Sequence, residues 1–127
     1  LPETCAPGAD GAWAALECQY HAFNQRDLTV VRALWSASAR LDRPRGGNAV
    51  GIERVCAEYA EIFARPDRAT LRLTDVTAFV GVDQAVFVGT EVVTYGDRVS
   101  RFRATRCFRY ERDDGRWRQF HFHGSPA

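Results

Sequence analysis

Residues 105–125 read TRCFRYERDDGRWRQFHFHGS. Aromatic and polar residues alternate on both sides of the turn signal Asp113-Asp114-Gly115. That is the pattern of two antiparallel strands joined by a tight loop. In the first strand Arg106, Phe108 and Tyr110 share a face, and Thr105, Cys107 and Arg109 share the other. The aromatic face is expected to lie inward, because each ring buries a large apolar area. By the same alternation Phe120 and Phe122 are expected inside. Trp117, Gln119, His121 and His123 are then expected on the outer side.

Working back toward the N-terminus, two more runs have a period of two, 70–80 and 84–95. With 99–111 and 116–124 they make four strands, joined by the signals GVD, GD and DDG, and an antiparallel meander is expected. A tight turn at Gly96-Asp97 pairs Tyr95 with Arg98. Ala85, Phe87, Glu91, Val93 and Tyr95 then share the inner face with Phe102, Ala104 and Arg106. Two of these inward residues are charged, Glu91 and Arg106. A buried charge needs a partner or a wet cavity. Either the two pair with each other, or Arg106 receives an anion from outside.

The first half of the chain changes period. Trp13, Leu16, Tyr20 and Phe23 form one helical stripe within 9–24. Asp27 is placed to cap a second helix ending near Trp35. A third helix runs over about 50–64 and stops before Pro66. Between helices two and three, 38–42 (SARLD) reads as a short strand and 43–48 (RPRGGN) as a loop. Residues 1–8 read as a flexible arm, and 9–127 as a single domain. Helices followed by a sheet give an α+β fold.

The chain has 127 residues, 46% hydrophobic and 26% charged, with a net charge of +1. That balance gives no support for a nucleic-acid partner. No apolar run is long enough for a membrane span. All 17 basic residues are arginine, so no lysine Schiff base is available. An arginine-only, Ala- and Gly-rich composition suggests a bacterial, GC-rich coding sequence. Cys5, Cys18, Cys56 and Cys107 form no C-x-x-C, and are read as reduced thiols of a cytoplasmic protein. His121 and His123, with His21, are the only histidines. Two strand histidines need further ligands to hold a metal, and no metal or other cofactor is expected. No P-loop, Rossmann glycine run, G-x-S-x-G or H-E-x-x-H occurs.

Three stretches resemble the SnoaL-like branch of the nuclear transport factor 2-like superfamily. They are FNQRDLTVVRALW (23–35), GIERVCAEYAEIF (51–63) and the opening stretch. The last also resembles the association (hub) domain of calcium/calmodulin-dependent kinase II. The resemblance implies a cone-shaped, strongly curved antiparallel sheet wrapped by three N-terminal helices, a cystatin-like roll. It implies a pocket at the mouth of the cone and a homodimer through the outer sheet face. The superfamily holds isomerases, dehydratases and polyketide cyclases beside non-catalytic oligomerisation modules, so fold does not settle function.

The resemblance also nominates residues. Asp42 follows the short strand in a context similar to that of the general base of ketosteroid isomerase. In an apolar mouth its carboxyl would titrate high enough to take a proton. The plainer reading is that it caps the loop or pairs with Arg43 or Arg45. Arg106 stands where the hub domain has a T-R whose arginine lines a carboxylate pocket, while Val55, Glu91 and Gly124 depart from that pattern. Tyr20, Trp35, Tyr59, Phe63, Phe87, Phe102 and Phe122 either line the pocket or fill the core. Two functions follow. One is a cofactor-independent acid–base enzyme of isomerase, cyclase or dehydratase type, acting on a small or polycyclic metabolite. The other is a non-catalytic ligand-binding or assembly module.

Overall fold

A computed structural model describes residues 2–127. After a single 3₁₀ turn at Pro2–Cys5 come α1 (Ala9–Gln25), α2 (Leu28–Leu34), β1 (Trp35–Asp42), β2 (Asn48–Val50) and α3 (Ile52–Phe63). The second half is β3 (Thr70–Val80), β4 (Gln84–Tyr95), β5 (Arg98–Glu111) and β6 (Arg116–Pro126). The six strands form one curved, unclosed sheet in the order β2-β1-β6-β5-β4-β3. β3 to β6 are the expected antiparallel meander. β1, however, lies parallel to β6, so the sheet is mixed rather than antiparallel. Most of the chain separates these two strands, which leaves ample length for a parallel crossover.

Local chemistry sets the boundaries. The Asp27 carboxylate accepts from the Val30 N–H at 3.1 Å and caps α2. Trp35 is already extended (φ −89°, ψ 144°), so the chain passes from α2 straight into β1. β1 is therefore longer than the SARLD segment, and β2 adds a short antiparallel partner across residues 43–47.

The turn at Gly96-Asp97 pairs Tyr95 with Arg98, and the facing of β4 and β5 follows from it. Phe87, Ala104 and Phe108 are buried in the core. On β6 the expected parity fails at one point. Cys107 faces His121 while Phe108 faces Gln119, so Phe120 is an extra, unopposed residue. This bulge reverses the alternation. Trp117 and Gln119 point inward and are fully buried. Phe120 turns outward, its ring 5.1 Å from the guanidinium carbon of Arg109. Beyond the bulge Phe122 is inside, and His121 and His123 keep their outer face.

Residues 5 and 6 of the opening segment are tied to the sheet. The Trp117 indole N–H donates to the Ala6 carbonyl at 3.0 Å, and the Tyr110 hydroxyl donates to the Cys5 carbonyl at 3.2 Å. Gly11 permits this approach. A Cβ there would stand 1.7 Å from the Ala6 oxygen and 2.7 Å from the Trp117 ring.

Candidate functional site

A cavity of about 320 Å³ opens between the helices and the inner face of the sheet. Its walls are apolar, including Phe23, Leu71, Val93 and Phe102. α1 is fixed against this wall by Asn24. The Asn24 side chain donates to the Leu71 carbonyl at 2.9 Å and accepts from the Leu71 N–H at 2.8 Å. One side of the mouth is the loop after β1, which rests on β6. Gly124 makes room for it, since a Cβ there would meet Pro44 at 2.6 Å.

Two charged side chains lie at the floor, Glu91 from β4 and Arg106 from β5, with 4% and 2% of their surface exposed. They form an ion pair, Arg106 Nη2 standing 2.7 Å from Glu91 Oε2. Of the two readings open from sequence, the structure shows the internal pair. Three donors converge on the same carboxylate oxygen. Arg106 Nε adds a bond of 2.8 Å, and the Tyr20 hydroxyl donates at 2.6 Å. Arg106 Nη1 donates to Gln119 Oε1 at 2.9 Å, Gln119 donates on to Gln19 at 2.8 Å, and Gln19 donates to the Tyr59 oxygen at 2.9 Å. The guanidinium also lies 4.0 Å from the centre of the Phe122 ring. Every nitrogen of Arg106 is thus engaged.

This network fixes protonation. Burial opposes the charge on Arg106, but Glu91 and the Tyr20 and Tyr59 oxygens outweigh it, and the guanidinium stays protonated. Burial pushes the Tyr20 phenol well above its ordinary value; Arg106 opposes this and Glu91 adds to it. Burial raises Tyr59 as well. Both phenols are therefore hydrogen-bonding groups, and neither is a phenolate near neutral pH. Glu91 Oε1 differs from its twin. The hydrogen bonds that reach this carboxylate from described residues fall on Oε2, and Glu91 is part of the cavity lining.

The other expected site residues divide. Tyr59, Phe102 and Phe122 line the cavity. Tyr20 supports the floor through Glu91. Trp35 and Phe87 are core side chains, and Phe63 packs on Phe23 and Tyr59. Asp42 does not line the cavity. On β1, Ala39 and Leu41 point inward, and Asp42 points to the outer face. Its carboxylate accepts from Arg40 Nε at 2.9 Å and faces His121 Nε2 at 2.9 Å. These two partners, Arg40 first, hold it at about 2, below the ordinary 3.8. The carboxylate expected as general base is thus held by Arg40 and His121 on the outer face, away from the cavity, and the cavity geometry lends that role no support. Asp42 pairs neither with Arg43 nor with Arg45.

Beside Asp42, the His121 and His123 rings stack 6.5 Å apart on the outer face. Among the described residues no three His, Cys, Asp or Glu side chains are gathered to hold a metal ion. Burial raises the Cys18, Cys56 and Cys107 thiols, which makes them poor nucleophiles. No described helix is long and apolar enough to cross a membrane.

Sequence reasoning missed Gln19 and Gln119, the two amides that link the floor to α1. Gln119 was hidden by the bulge. Gln19 stands three residues after Leu16 and four before Phe23 and shares their buried face, but a glutamine in a sequence does not announce its own burial.

The fold has close relatives among solved structures. A protein from Thiobacillus denitrificans, provisionally described as a calcium/calmodulin-dependent protein kinase type II association domain, superposes with a TM-score of 0.80. It is 26% identical, and the match covers 91% of this chain and 94% of that one. A protein of the NTF2-like family from Streptomyces avermitilis, provisionally described as a dehydratase, has a TM-score of 0.80 at 25% identity, covering 91% and 93%. One from Parabacteroides distasonis, provisionally described as a ketosteroid isomerase, shares the fold at 17% identity, with a TM-score of 0.73 and coverage of 88% and 84%. No curated protein matches the sequence significantly. Residues 16–120, all but the two ends of the chain, match the SnoaL-like domain. With the curved α+β sheet and these neighbours, that match establishes that the chain belongs to the SnoaL-like family of the nuclear transport factor 2-like superfamily.

Proposed function

We propose that this domain binds a small, largely apolar organic molecule in the cavity above Glu91, and that the molecule offers a hydrogen-bond donor to Glu91 Oε1. The observation that carries this reading is the division of labour on one carboxylate. Oε2 takes all three protein donors, and Oε1 takes none of them. Arg106 neutralises the pair, so the floor favours a neutral donor, such as a hydroxyl, over an anion. Apolar walls with one directed polar group are the usual form of a small-molecule site. The neighbours described as a dehydratase and as an isomerase agree with a pocket of this kind.

The test compares 2-naphthol with 2-methoxynaphthalene, which lacks the donor. Calorimetric titration is expected to show about tenfold tighter binding of the naphthol, the worth of roughly one hydrogen bond to a charged acceptor. Equal affinity would remove Glu91 from the recognition.

A second reading is acid–base turnover, favoured by the same unengaged oxygen at the end of an apolar cavity. Glu91 Oε1 would take a proton from the carbon next to a ligand carbonyl. Exchange of the α-protons of 2-tetralone into deuterium oxide, followed by NMR, tests it. The reading requires exchange that Glu91→Gln abolishes. Pairing of two copies through the outer sheet face belongs to the same proposal. It is supported by Phe79 and Val88, 61% and 38% exposed on neighbouring strands.

A further inference from the structure

The mouth of the cavity differs in charge from its floor. Arg26, Arg43, Arg45 and Arg65 stand around it, against two carboxylates, Glu58 and Asp67. Only Arg43 is neutralised, by an ion pair with Glu58. Arg45 is exposed and has only the face of Phe102, 5.4 Å from its guanidinium carbon. Arg65 is exposed as well, and neither makes an ion pair with a described residue.

Arg26 is the least satisfied of the four. It ends α1 in the left-handed conformation (φ 54°), which turns its side chain toward residues 63–67. Nη2 reaches only the backbone oxygen of Asp67, at 3.5 Å, the limit of a hydrogen bond. Nη1 is enclosed and has no partner. A charged donor shut away from water without an acceptor is costly. A small rotation toward an incoming acid would relieve it, so Arg26 gains more from an anion than a solvated arginine would.

We propose that the mouth is an acid-recognition site: the ligand carries a carboxylate at the end opposite its donor group, held by Arg26 and Arg45, with Arg65 adding charge. The proposal rests on the reading that the cavity holds a small organic molecule. It assigns the acid to the mouth and not to Arg106, whose nitrogens are all engaged. The ligand class is thus an apolar acid with a distal hydroxyl or N–H group.

The probes are 6-hydroxy-2-naphthoate and its methyl ester, which keeps the hydroxyl and the rings but loses the charge. Fluorescence titration at low salt is expected to show the acid binding at least about tenfold tighter, a gap that narrows as salt screens the exposed arginines. In the double variant Arg26→Gln/Arg45→Gln the acid falls to the affinity of the ester, and the ester is unchanged. Arg45→Gln alone, at an exposed position outside any helix, gives part of the same loss. Equal binding of acid and ester by the unaltered protein overturns the proposal and leaves the cavity reading intact. So does a preference for the acid that survives the double variant. Failure of both probes to bind overturns the cavity reading and this proposal together.

Discussion

Arg106 and Glu91 are four register positions apart on neighbouring strands, yet their side chains meet, Nη2 to Oε2, at 2.7 Å beneath the cavity. Both are almost fully buried. Breaking such a pair leaves one charge stranded. Arg106→Ala is expected to lower unfolding free energy by about 3–5 kcal/mol. The double variant Arg106→Met/Glu91→Leu should recover most of that loss. Urea denaturation of the three proteins checks both, and a single-variant cost under about 1 kcal/mol would contradict the account.

Tyr20 holds the pair from the side of α1. Its hydroxyl donates to Glu91 at 2.6 Å and accepts from Arg106 Nε at 3.0 Å. Tyr20→Phe keeps the ring and removes both bonds. A loss of about 1–3 kcal/mol is expected, with the slope of the urea transition unchanged.

Asp42 should govern acid stability rather than ligand binding. Its folded-state pKa is depressed from 3.8 to about 2. As pH falls the unfolded chain takes up the proton first, so the stabilisation present above 3.8 is lost on the way down to about 2. Asp42→Asn should therefore be less stable than the native protein at pH 6, and the gap should close toward pH 2. Glu111, also held low by Ser36, Arg118 and Arg109 against its burial, is common to both proteins and cancels. Urea midpoints across this range measure the gap, and one that stays constant or widens contradicts the assignment. Binding of 2-naphthol should be the same in both proteins.

The fate of Asp42 also shows what the sequence could and could not reveal. In SARLD, Ala39 and Leu41 alternate with Ser38, Arg40 and Asp42. That alternation alone assigns Asp42 to the polar face, and the analogy with ketosteroid isomerase overrode it. The facing of β4 and β5 was legible because a two-residue turn fixes their register. The facing of β6 was not, because nothing in RQFHF marks Phe120 as the extra residue of a bulge. The parallel contact between β1 and β6 was invisible for another reason. It joins segments about eighty residues apart with no turn between them to read. The arginines of the mouth are ordinary surface residues in one dimension, and only the fold brings them around one opening.

The docked arm gives a prediction about the N-terminus. Gly11→Val would drive a side chain into the Ala6 carbonyl and the Trp117 ring. The arm must then leave α1, taking the bonds to Tyr110 and Trp117 with it. Faster limited proteolysis within residues 2–8 is expected, together with a stability loss of about 1–3 kcal/mol. Unchanged proteolysis would mean that the arm is held by other contacts.

The most direct measurement is an amide NMR titration of the native protein with 2-naphthol. The account predicts saturable shifts at Leu71, Glu91, Val93 and Phe102 around the cavity, with Thr105, His121 and His123 on the outer face unmoved. Saturable shifts confined to the outer face, or none at all, would contradict a binding cavity above Glu91.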